Sequence, residues 1–157
     1  VVYARNGMCN AGNPHAASAG LQTLLKGGNA VDAAIAMAKR PMPVVEPTGN
    51  GLGADCFVIL WYEGKMYGLN ASGPAPKSLS VAALKDRGFE KIPSYGVEPI
   101  DVPGAVAGWM TLHERFGKLS LGEVMAPAIR YAEEGYPVTP NYFPPLAGSL
   151  RKLFQIS

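Results

Sequence analysis

The chain reads as an α+β protein in which helices cover one face of an antiparallel sheet. Three observations predict this. Two alanine-rich runs, separated by Gly27-Gly28-Asn29, fill residues 14–38. The apolar run Cys56-Phe57-Val58-Ile59-Leu60-Trp61-Tyr62 is followed by the turn pair Glu63-Gly64 and a second strand-like run. Two more helical patterns with clear end signals lie beyond residue 104.

Residues 2–8 are weakly strand-like. Asn13 then caps a helix, with Pro14 at the first helical position, where its missing N–H costs nothing. Ala17, Leu21, Leu24 and Leu25 recur at helical spacing and give that helix its expected apolar face. Gly27 or Gly28 takes the left-handed conformation that ends it. Asn29 caps the next helix at once. Asp32 sits in its first turn, where the helix dipole favours a negative charge. This helix, residues 30–38, is small and apolar nearly all round, which predicts burial against close neighbours. Pro41 and Pro43 stop it.

The Cys56–Tyr62 run has the length and the β-branched and aromatic content of a buried strand. Glu63-Gly64 is a tight turn into residues 65–70, a hairpin signal. Residues 71–78 form an irregular loop with Gly73, Pro74 and Pro76. Ser80 caps a short helix over 81–87, and residues 88–102 read as loop. The next helix spans 105–116, with Val106, Trp109, Met110 and Leu112 near helical spacing, and Gly117 ends it. Ser120 caps a last helix, and Glu123 completes a capping-box pattern. That helix carries Val124, Ala128, Ile129, Tyr131 and Ala132 and ends at Gly135. Proline and glycine break up residues 137–149, and a short run closes the sequence at 150–156.

The 157 residues suffice for one domain with a real core. A net charge of +2, with only paired basic spots at Lys39-Arg40 and Arg151-Lys152, argues against a nucleic-acid partner. Cys9 and Cys56 are too few for a disulfide scaffold and read as buried free thiols. No apolar run approaches the ~20 residues of a membrane helix, and no secretory signal is visible. The compartment is not readable from this sequence.

Gly49-Asn50-Gly51-Leu52-Gly53 lacks the Gly-Lys-Ser/Thr ending of a phosphate-binding loop and precedes a strand. It reads instead as a backbone passage in which glycines allow close approach. His15 and His113 stand alone, so no metal site is expected and no cofactor is called for. Glu133-Glu134 reads as a solvated helix end, and Asp55 as an acid that orders the adjoining loop.

These residues resemble the γ-glutamyltransferase family of N-terminal-nucleophile hydrolases. The resemblance rests on Asn13-Pro14-His15-Ala16-Ala17-Ser18, on Gly27-Gly28-Asn29-Ala30-Val31-Asp32-Ala33-Ala34, and on Val44-Val45-Glu46-Pro47 with the glycine segment. It continues through Ala75-Pro76, Val102-Pro103-Gly104-Ala105-Val106-Ala107-Gly108, Ala126-Pro127-Ala128-Ile129 and Ala132-Glu133-Glu134-Gly135-Tyr136-Pro137-Val138, in the family's order.

The resemblance implies a precursor that cuts itself before a threonine. The threonine hydroxyl then attacks a γ-glutamyl amide, with its own α-amino group as base. It implies a four-layer αββα sandwich, of which residues 1–157 are the N-terminal portion, incomplete without downstream chain. The expected partner is therefore a C-terminal small subunit, or downstream chain, carrying the nucleophilic threonine. Thr23, Thr48, Thr111 and Thr139 do not stand in the cleavage context, so no catalytic residue is assigned within this chain. The expected substrate is a γ-glutamyl small molecule of the glutathione type. The resemblance also places a carboxylate-binding arginine four residues before the proline of Ala75-Pro76. Ser72 occupies that position, and serine offers a neutral hydrogen bond but no charge. Lys65 and Lys77 lie nearby and read as surface lysines. Ser72 keeps two alternatives open: a related acylase for a different, cephalosporin-type amide, or a non-catalytic scaffold.

Overall fold

The computed structural model describes residues 2–39 and 51–137. Its elements run in the order α1 (Pro14–Leu25), α2 (Ala30–Lys39), β1 (Cys56–Tyr62), β2 (Lys65–Ala71), α3 (Val81–Asp86), α4 (Ala105–Phe116) and α5 (Leu121–Glu134). They fall into two compact units. One joins Val1–Leu52 to Trp109–Ser157, and the other is Gly53–Gly108. The proline stop at Pro41 and Pro43, residues 44–47, Gly49, Asn50 and everything from residue 138 onward lie outside the described residues.

In the first unit, the Asn13 side chain accepts from the His15 N–H at 2.8 Å, and Pro14 opens α1 as expected. Gly27 adopts φ +91° after the helix. Its N–H bonds to the Leu24 carbonyl, and the Gly28 N–H bonds to that of Thr23, each at 3.0 Å, so the helix ends in a Schellman motif. Asn29 begins α2 one residue later, its side-chain oxygen accepting from Val31 and Asp32 N–H at 3.0 Å.

The buried face of α1 is not the leucine face the spacing suggests. Ala16, Ala19, Gly20 and Thr23 are buried, whereas Leu21 and Leu25 are exposed. The reason is close approach. A β-carbon on Gly20 would lie 2.7 Å from Met37 Cγ and 2.8 Å from Cys9 Sγ, so only small side chains fit between α1 and its neighbours. The Thr23 hydroxyl is satisfied internally by the Ala19 carbonyl at 2.9 Å. Residues 2–8 form no strand; the segment lies along α1 through Gly7 and Cys9. On α2, Val31, Asp32, Ala33, Ile35 and Ala36 are buried, as its composition predicts.

Asp32 is 0% exposed. One carboxylate oxygen accepts from the Asn29 N–H at 3.0 Å, completing a reciprocal cap with the Asn29 side chain. The same carboxylate accepts from Lys118 N–H at 3.1 Å and Leu119 N–H at 3.2 Å, in the turn between α4 and α5. Asn29 Nδ2 donates to the Phe116 carbonyl at the end of α4, 2.6 Å away. Gly117 permits this turn, because a β-carbon there would lie 2.6 Å from the His113 carbonyl and 3.1 Å from Asp32 Oδ1. The capping box on α5 is formed: Glu123 accepts from the Ser120 N–H and hydroxyl at 2.9 and 2.6 Å. Val124 and Pro127 are the buried residues of α5; Ile129 is exposed.

In the second unit, β1 and β2 pair antiparallel from Tyr62↔Lys65 to Cys56↔Ala71. Glu63 (φ +49°) and Gly64 (φ +76°) make the two-residue turn, both with the positive φ of a type I′ hairpin. The strand expected to be buried is half-exposed. Phe57, Ile59 and Trp61 are 69, 85 and 71% exposed, because nothing described covers their face. The opposite face meets the start of α4, where a β-carbon on Gly108 would lie 2.6 Å from Ala71 Cβ. Of the part of α4 in this unit, Ala105 and Gly108 are buried and Val106 is exposed; Trp109 and Leu112, in the first unit, are buried there. Ser80 caps α3 through the Ala83 N–H. The Arg87 guanidinium pairs with Glu98 and lies 5.2 Å from the Phe89 ring centroid.

Three outcomes are expected. Asp32→Ala leaves three part-buried N–H donors without their acceptor and lowers unfolding free energy by about 2–3 kcal/mol in urea titration. Asp32→Asn costs less, because an amide oxygen in the Oδ2 position still accepts from Asn29, Lys118 and Leu119 and only the second Lys118 contact, to Oδ1, is lost. Gly104→Ala drives a β-carbon into the Ala71 carbonyl oxygen and costs about 1–3 kcal/mol by the same measurement. The Glu123 carboxyl is held below its ordinary 4.5 by the Ser120 hydroxyl and then the Ser120 N–H. A depressed carboxylate contributes stability above its unfolded value and loses it as pH falls through the folded one. Protection factors, taken against the intrinsic exchange rate at each pH, are therefore expected to fall for amides in the first turn of α5 as pH drops below that range, and Glu123→Gln removes this dependence.

Candidate functional site

The loop leaving β2 carries the expected substrate contact. Asn70 is the penultimate residue of the strand and shares the exposed face with Phe57, its cross-strand partner. Ser72 follows Ala71, half-buried. Its backbone N–H donates to Asn70 Oδ1 at 3.0 Å and its hydroxyl donates to the same oxygen at 2.7 Å. A backbone N–H can only donate, so the atom facing Ser72 is the amide oxygen, and the Asn70 NH₂ is turned away from it. Asn70 also lines a shallow depression opened by the missing side chain of Gly68, beside Phe57 and Ile59; its other lining residues are apolar.

The loop is held from beneath by backbone. The Val102 N–H donates to the Pro74 carbonyl at 3.0 Å, and the Ala105 N–H to that of Ala54 at 2.9 Å. Gly73, at φ +71°, lies so close to Val102 that a β-carbon would collide with its carbonyl, and one on Gly104 would lie 2.3 Å from the Ala71 carbonyl oxygen. The Val-Pro-Gly segment is thus a clamp on the loop bearing Asn70 and Ser72. Of the glycine segment expected to make a close passage, Gly49 and Asn50 lie outside the described residues, and a β-carbon on Gly51 or Gly53 would meet nothing among the described residues within 4 Å. Asp55 is exposed, and the adjoining backbone is tied by Ala54 rather than by this acid.

Neither lysine named beside Ser72 stands in for a guanidinium. Lys65 is at the hairpin turn, roughly 20 Å of extended strand from Ser72. Lys77 is exposed on the following turn, where the Leu79 N–H bonds to Pro76. The histidines are engaged elsewhere. His113 Nε2 donates to the Leu119 carbonyl at 2.9 Å, and His15 Nδ1 meets the Tyr131 hydroxyl at 3.3 Å with the rings edge to face. Thr111 is exposed on α4. Burial pushes the Cys9 thiol up, and both Cys9 and Cys56 are free. Among the described residues no cluster of His, Cys, Asp or Glu could hold a metal ion. No described helix is long and apolar enough to cross a membrane. Sequence reasoning named Ser72 but missed Asn70, although Asn-x-Ser is the spacing of an Asx turn.

Comparison with known proteins locates the chain among relatives. The family model described as gamma-glutamyltranspeptidase matches residues 16–154. A glutathione hydrolase proenzyme of Pseudomonas aeruginosa is 38% identical over 140 residues, covering 87% of this chain and 25% of that protein. The crystal structure of a cephalosporin acylase from Bacillus halodurans is 55% identical with a TM-score of 0.78, over 82% of this chain and 24% of the other. A gamma-glutamyltranspeptidase from Pseudomonas nitroreducens superposes with a TM-score of 0.86 at 32% identity, over 99% of this chain and 47% of the other. The chain thus spans about a quarter of the length of the curated relatives it matches. With the family model matching residues 16–154, nearly all its length, the chain belongs to the gamma-glutamyltranspeptidase family.

Proposed function

We propose that residues 1–157 are the N-terminal portion of an amide-cleaving enzyme of this family, and that polypeptide beyond Ser157 carries its threonine nucleophile. In that enzyme the threonine hydroxyl attacks an acyl amide with its own α-amino group as base, the amine departs, and water releases the acid. The proenzyme relatives, each about four times the matched length, support this reading. So does the apolar face formed by Phe57, Ile59, Trp61 and Met66, which is suited to a second sheet in a four-layer αββα sandwich.

Within the family, the acylase reading has the better support. The observation that carries it is Ser72, engaged with neutral Asn70 at the position where the family resemblance implies an arginine. A carboxylate met there would find no guanidinium fork. The 55% identity to a cephalosporin acylase is in keeping with this. The second reading, hydrolysis or transfer of γ-glutamyl groups from compounds such as glutathione, is favoured by the glutathione hydrolase relative. It requires a cation from elsewhere in the protein.

The product of the complete gene is expected to run as two bands on a denaturing gel. It is expected to hydrolyse glutaryl-4-nitroanilide faster than γ-glutamyl-4-nitroanilide. The reverse order favours the γ-glutamyl reading. One unprocessed band with no turnover of either anilide favours a scaffold and overturns the proposal.

A further inference from the structure

We infer that residues 88–98 form a strap on the second unit, fastened by one ion pair between Arg87 and Glu98 and released as a whole when that pair is broken. Arg87 ends α3 and Glu98 lies eleven residues further on, so the pair closes the loop at its two ends. Little else holds the loop between them. The Phe89 N–H bonds back to the Leu84 carbonyl, and the Val97 carbonyl accepts from the Ile100 N–H, but among the described residues 90–96 make no backbone–backbone hydrogen bond. Of the large apolar side chains here, Ile92, Tyr95 and Val97 are exposed and only Phe89 is half-buried, so no core anchors the strap.

The pair itself is well placed. The Arg87 guanidinium lies over the Phe89 ring, and its Nη2 donates to Glu98 Oε1. The Glu98 side chain is 9% exposed and that of Arg87 54%, so the carboxylate is sheltered and the guanidinium covers it. Gly96, at φ +112°, brings the turn after Tyr95 against the other carboxylate oxygen, where a β-carbon would lie 2.9 Å from Oε2. The Glu98 carboxyl is held below its ordinary 4.5 by its own backbone N–H and then by Arg87, which keeps it charged at neutral pH. A pair open to water on one side is weakened by salt. The strap therefore opens on the loss of one electrostatic contact. The β1–β2 hairpin and the clamp at Gly73 and Gly104 rest on backbone contacts and stay closed.

The test is limited proteolysis of the full protein with a lysine-specific endoprotease, cleavage after Lys91 in the strap being read by mass spectrometry. Cleavage after Lys118, in the turn held by Asp32, is the control for wider unfolding. Arg87→Gln and Glu98→Gln are each expected to raise the rate at Lys91 about two- to fivefold, the reach of one partly exposed ion pair, and the double variant no further. In wild type, sodium chloride at about 1 M is expected to raise that rate by a similar factor. A free peptide of residues 85–98 corrects for the response of the protease to salt. Glu98→Gln is expected to show no such rise, and cleavage at Lys118 to stay at the wild-type rate throughout. Unchanged cleavage at Lys91 in either folded variant, additive effects in the double variant, or a rise matched at Lys118 overturns the inference. So does a wild-type protein whose cleavage at Lys91 ignores salt, a result that needs no substitution to obtain.

Discussion

A single buried carboxylate governs the first unit. Asp32 receives hydrogen bonds from Asn29 at the start of its own helix and from Lys118 and Leu119, some 86 residues away in sequence. Helix ends leave backbone donors and acceptors unsatisfied, and burying them is costly. Here the start of α2 and the end of α4 are brought together so that each satisfies the other. Asn29 caps its own helix with its oxygen and the end of α4 with its NH₂. The Gly-Gly-Asn-Ala-Val-Asp run is therefore a structural knot. Gly27 makes the turn, Gly28 admits Leu119, whose Cδ1 would be 2.9 Å from a β-carbon there, and Asn29 and Asp32 tie it off.

The second unit depends on glycine in a different way. Gly73, Gly104 and Gly108 let the loop after β2 and the start of α4 lie backbone against backbone. This holds Asn70 and Ser72 without a large core beneath them. A site placed so gains its geometry from main-chain contacts, which tolerate little change, while the side chains above can be exchanged.

Signals acting within about four residues were legible in the sequence. Asn13, Pro14, Gly27, Asn29, Ser80, the Ser120-Glu123 box and the Glu63-Gly64 turn set element ends where they were expected. What needed partners distant in sequence was not. Periodicity alone chose the leucine face of α1, because nothing local shows that Gly20 touches Met37 and Cys9. Asp32 read as a dipole partner, since Lys118 lies too far along the chain to be paired with it by inspection. The tight contacts at Gly73, Gly104 and Gly108 fall at isolated glycines, which nothing in the local sequence singles out. In the candidate site, Ser72 was found by position and Asn70 by geometry alone, because an exposed strand asparagine carries no distinctive spacing except the serine two residues on.

The type I′ turn has a consequence for Asn70. With only Glu63 and Gly64 between the strands, the phase of β2 is settled at its first residue, and every even-numbered position through Asn70 inherits the outward side. The amide reaches its place by parity, counted from a turn at the opposite tip of the ribbon. Chemical identity at one end of this hairpin is thus tied to loop length at the other, and evolution can silence or expose position 70 without touching it.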